Sequence, residues 1–122
     1  MQRDMDIVRR ILMHAADAEP PIESIPDCDD RVFSYHVALL IEADLVHGTF
    51  TELNLQPAGG AIFRLTWAGH DFLDAARDDT VWHAAKEKIL KPGASWTFDL
   101  LKAALRALAA QQLAKLGLPI HE

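Results

Sequence analysis

With 122 residues, half of them hydrophobic, the chain is long enough to bury one core and too short for two independent ones. Its single cysteine, Cys28, excludes an internal disulfide and a cysteine-built zinc cage and fits a reducing cytoplasm; no stretch approaches the roughly 20 apolar residues of a membrane span, and the polar start Gln2, Arg3, Asp4, Asp6 does not read as a secretory signal. The net charge of -6 lies wholly in residues 1–50, where Arg3, Arg9, Arg10 and Arg31 face Asp4, Asp6, Asp17, Glu19, Glu23, Asp27, Asp29, Asp30, Glu42 and Asp44, whereas acids and bases balance in residues 51–122.

Met5, Ile7, Val8, Ile11, Leu12 and Ala15 mark one apolar face and predict a helix over about residues 4–17, with Asp4 placed to cap it. Glu19-Pro20-Pro21 stops this helix. The connector that follows, from Ile22 to Asp30, is rich in proline and acid and has only Ile22 and Ile25 as large apolar anchors. Asp29 or Asp30 caps a second helix in which Val32 or Phe33, His36, Leu39, Leu40 and Ala43 run along one side, ending near Asp44.

Leu45 to Thr51 and Ala61 to Trp67 have the β-branched and aromatic content of strands, and Gln56-Pro57-Ala58-Gly59-Gly60 between them reads as a loose hairpin tip. Thr66 or Trp67 opens a third helix reaching about Arg77, with Phe72, Leu73 and Ala76 facing a core. Asp78-Asp79 caps a fourth helix containing Val81, Trp82, Ala85, Ile89 and Leu90, and Lys91-Pro92-Gly93 ends it. The longest helix spans Ser95 to Leu116, with Phe98, Leu101, Leu105 and Leu108 on one face opposite Asp99, Lys102 and Arg106.

The expected fold is mainly α with a small β-hairpin: a winged helix-turn-helix over residues 1–90, followed by two extra C-terminal helices. The last of them, within residues 91–122, packs on the domain or on a second copy, with Trp96 and Leu113 as the oligomer contacts. Trp67 and Trp82 are read as core residues.

The segments Arg3 to Leu12, Tyr35 to Val46 and Leu65 to Asp78 resemble a bacterial domain family of unknown function, and Leu65-Thr66-Trp67-Ala68-Gly69-His70 is the most specific block. Members of that family are small winged-helix-like proteins, many of them encoded by phages and prophages. The resemblance implies a fold and a mobile-element setting, and it carries no activity, cofactor or site residue.

Chemistry-bearing motifs are scarce. No serine, cysteine or threonine stands in a nucleophile motif, no glycine-rich phosphate loop follows a strand, and the expectation is a non-enzymatic protein without cofactor or metal. His70 and Asp74 stand four apart on one helix but lack a third ligand; Asp79 and His83 repeat the spacing at a helix start. His36, on an apolar helix face, reads as a packed histidine bonded to backbone.

Two functions compete. In the preferred one, Asp27, Asp29, Asp30, Glu42 and Asp44 form an acidic face that holds a basic or nucleic-acid-binding protein partner. The alternative is a DNA-binding regulator reading the major groove with residues 31–43 and the wing at 46–66, through Arg31, Ser34, Tyr35 and Arg64. Tight DNA-binding proteins make about six to ten phosphate contacts, and the presumed reading helix offers Arg31 alone.

Overall fold

The computed structural model describes residues 1–89 and 98–115. Five helices and one two-stranded antiparallel hairpin occur in the order α1 (Met5–Asp17), α2 (Asp30–Glu42), β1 (Val46–Leu53), β2 (Gln56–Leu65), α3 (Trp67–Ala76), α4 (Asp79–Ile89) and α5 (Phe98–Lys115). The chain divides into two compact units, Met1–Leu73 and Asp74–Glu122.

Local sequence accounts for where the helices begin. The Asp4 carboxylate accepts the Asp6 and Ile7 amides at the start of α1, and Asp29 does the same for Arg31 and Val32 at the start of α2. The α2 helix ends in a Schellman turn: the Leu45 amide donates to the Leu40 carbonyl, the Asp44 amide to that of Ile41, and Asp44 itself takes a left-handed φ of 59°. Asp78 caps α4 through the Val81 amide.

In the first unit α1, α2 and the hairpin pack together around Met5, Val8, Ile11, Leu12, Phe33, Val37, Leu40, Val46, Ile62 and Leu65, all buried. The connector is tied to the sheet by reciprocal backbone bonds of 2.8 and 2.9 Å between Ile22 and Ile62, so Ile22 and Ile25 are anchors as their hydrophobicity implies. Arg10 donates to the Pro26 carbonyl and fastens the same segment to α1. His36 is fully buried; its Nδ1 donates to the Val32 carbonyl at 2.8 Å and its Nε2 accepts the Asp4 amide at 2.9 Å. That pairing uses the neutral ring and joins the start of α1 to the middle of α2, a structural post for which no ligand role is needed.

The hairpin differs from the expected loose tip. Strand β2 begins at Gln56, so residues 56–58 are paired, 59–60 lie within the strand, and the turn is only Asn54-Leu55, both left-handed with φ of 53° and 65°. Two positive φ values define the turn type whose twist matches paired strands, which keeps the hairpin tight without the usual glycine. The extra residues are absorbed as bulges in β2, where the register shifts opposite Phe50 and again at Phe63. Gly60 is pressed on α2: a Cβ there would lie 3.0 Å from the Val37 Cβ, and its amide donates to Ser34 Oγ.

In the second unit α4 and α5 pack on each other, with Val81, Trp82, Ala85, Leu101 and Leu105 buried. Lys86 lies over the Trp82 ring at 5.9 Å. Trp96, the break at residues 91–93 and the side chain of Leu113 lie outside the described residues.

Candidate functional site

The five carboxylates read as an acidic face are all exposed, but they fall at two places. Asp27, Asp29 and Asp30 gather at the start of α2, and Glu42 and Asp44 stand at its end, about 18 Å away at the α-helical rise per residue. The two groups have different physical standing. Asp29 is the cap, and Asp30 lies in the first turn, where the helix dipole favours a negative charge. Glu42 and Asp44 stand where the dipole disfavours it, and no basic residue occupies the last turn of α2.

Of the residues assigned to the DNA reading, Arg31 and Tyr35 share a face of α2, whereas Ser34 turns inward and Arg64 lies on β2. Arg31 is exposed but lies 3.9 Å from the Asp29 carboxylate, and it is the sole lysine or arginine of α2. Arg64 is exposed on β2 opposite His47, beside the far end of α2, and donates to the Leu65 carbonyl at 3.3 Å. Tyr35 is half-buried, its ring set edge-on to His36 at 5.4 Å. Ser34 is a correction: it is buried and holds the Gly60 amide at 3.1 Å, because its position on α2 faces β2. The outward stripe of α2 is therefore Arg31, Tyr35, Leu39 and Glu42, with a single cation.

The second correction is Trp67. Expected in the core, it is 84% exposed, whereas Trp82 is buried. The cause lies in how α3 starts. The Thr66 hydroxyl accepts the Gly69 amide at 3.0 Å and donates to the Asp44 carbonyl at 2.6 Å, while the Thr66 amide donates to the Leu45 carbonyl. Gly69 lies so close beneath this junction that a Cβ would sit 2.0 Å from the Leu45 oxygen. Thr66, Gly69, Phe72 and Leu73 thus form the inward face, and Trp67, His70, Asp71 and Asp74 are left on the outside. Helical phase could have shown this: Trp67 is out of register with Phe72, Leu73 and Ala76, a signal overridden by the expectation that a tryptophan is buried.

Elsewhere, Arg10, Met13, His14, Asp17, Ile25, Pro26 and Asp27 line an open groove of about 360 Å³. Burial pushes the nearby Cys28 thiol up; Arg10 acts in the opposite direction, and Asp29 and Asp30 add to the rise. His70, Asp74, Asp79 and His83 are exposed, and among the described residues no group of three or more His, Cys, Asp or Glu could hold a metal ion. No buried side-chain nitrogen or oxygen among them lacks a hydrogen-bond partner. No described helix is long and apolar enough to cross a membrane.

An uncharacterized protein of Haemophilus influenzae (strain Rd) is 32% identical over 120 residues, an alignment covering 93% of this chain and all of that protein. No solved structure matches. The model of the family described as "Hypothetical protein (DUF2513)" matches residues 2–95, which include both ends of α2, the hairpin and the Thr66 junction, and the chain belongs to that family.

Proposed function

We propose that this protein is a non-catalytic recognition module that uses a winged-helix-like scaffold to hold a basic protein partner, in the phage or prophage setting that its family resemblance implies. The scaffold reading is supported by the order α1, α2, hairpin, α3, in which α2 occupies the place of a groove-reading helix and β1–β2 that of a wing. The observation that carries the choice of partner is the charge of α2: its two ends present Asp29, Asp30, Glu42 and Asp44, all exposed, against the single cation Arg31. Such a surface slows the approach of phosphate and speeds that of lysine and arginine.

The discriminating experiment titrates labelled mixed-sequence duplex DNA and an arginine-rich peptide separately at low salt, following anisotropy. The peptide is expected to bind with an affinity that falls as salt rises, and the duplex to remain free. Duplex binding that is lost on Arg31→Ala would replace this reading with that of a DNA-binding regulator.

A further inference from the structure

We infer that Trp67 is a stacking platform for an arginine side chain of the partner, with Asp44 and Asp71 as the carboxylates that receive its charge. This rests on the reading that the partner is basic and assigns the point of contact.

The indole is 84% exposed at the first turn of α3. The start of α3 is set by its neighbours, since Thr66 makes the cap and Gly69 makes the close contact. Asp71 stands four residues along, also exposed, on the same face of the helix. Asp44 comes from the other side of the junction: the Thr66 hydroxyl reaches its carbonyl at 2.6 Å, which sets the first turn of α3 directly over the end of α2. Glu42, exposed two residues earlier, adds to the negative potential there.

An exposed indole that shares its helix face with Asp71 and starts a helix seated on the acidic end of α2 suits a planar cation. Guanidinium stacks on an aromatic face and still directs N–H groups to an acid in its own plane, whereas an ammonium does one of these well at a time. Other occupants fit less well. A second copy meeting this face in two-fold symmetry would set Asp44 and Asp71 against the same acids, and anionic lipid or nucleic acid would be repelled.

The test uses two peptides of equal length and charge, one built on arginine and one on lysine, titrated calorimetrically at low salt into the full chain, Trp67→Ala, Trp67→Phe and the double variant Glu42→Gln/Asp44→Asn. Because Trp67 is exposed, its variants retain the core, which circular dichroism checks. The wild type is expected to prefer the arginine peptide by about three- to fivefold. Trp67→Phe keeps part of that preference, Trp67→Ala abolishes it, and the double variant weakens both peptides. If Trp67→Ala retains the arginine preference while the double variant still loses affinity, the stacking role is overturned and the acidic reading stands. Unchanged binding by the double variant, or no binding of either peptide to the wild type, overturns both.

Discussion

At the start of α2 the Asp29 carboxylate accepts two backbone amides and Asp30 lies in the favourable first turn; at the end of the same helix Glu42 and Asp44 stand at the negative pole of the helix dipole, and Asp44 adopts a backbone conformation that glycine would hold more cheaply. Two pairs of exposed carboxylates on one helix therefore have opposite relations to stability. The first pair is explained by folding. The second works against it, and residues that oppose the local physics without a visible structural return mark the place to look for function. That the exposed one of the two described tryptophans sits on the same junction strengthens the contrast.

The junction itself yields the largest expected effect. Gly69→Ala drives a methyl group into the Leu45 carbonyl oxygen, an obstacle that cannot rotate away, and should cost about 3 kcal/mol in urea unfolding. A loss under about 1 kcal/mol would mean that α3 is not seated on the end of α2 as described.

Next come two substitutions with opposite signs. Asp29→Ala removes a cap and should destabilise by about 1 kcal/mol. Asp44→Gly relieves the left-handed residue and removes an unfavourable charge, and should stabilise by about 1 kcal/mol while weakening binding of the arginine peptide. Equal signs in the two melts would dissolve the distinction between the helix ends. A smaller gain, about 0.5 kcal/mol, is expected for Glu42→Lys, which places a cation in the last turn of α2 and should fade with added salt.

The smallest effect lies at the first end. The Cys28 thiol is raised above its ordinary value mainly by burial, so less of it is thiolate at neutral pH and iodoacetamide should modify it more slowly than a free peptide thiol. The difference should close as pH rises through the shifted titration. Alkylation as fast as the peptide at neutral pH would show that the connector is looser than its Ile22 and Arg10 ties imply.

Much of the fold was legible because its signals are local. Asp4, Asp29, Thr66 and Asp78 cap the helices their positions predict, and His36 is the backbone-bonded core residue that its apolar face suggests. The hairpin was less so. Asn54-Leu55 lacks the glycine that usually announces a two-residue turn, and Pro57, Gly59 and Gly60 mimic a loop although they are bulged strand, held there by contacts with α2 that are distant in sequence. The candidate site was half legible: composition shows the acids and their bias to residues 1–50, but which acids serve the helix and which oppose it depends on cap geometry and on the left-handed φ of Asp44. Trp67 became visible only when Thr66 and Gly69 set the phase of α3.

The most direct test exchanges charge at one end of α2 at a time. Asn replaces Asp29 and Asp30 in one variant, preserving the cap, and Glu42→Gln with Asp44→Asn makes the other; each is titrated with the arginine peptide at low salt. The account predicts a loss of about tenfold for the second variant and less than about twofold for the first. Equal losses, or a larger loss at the capped end, would contradict it.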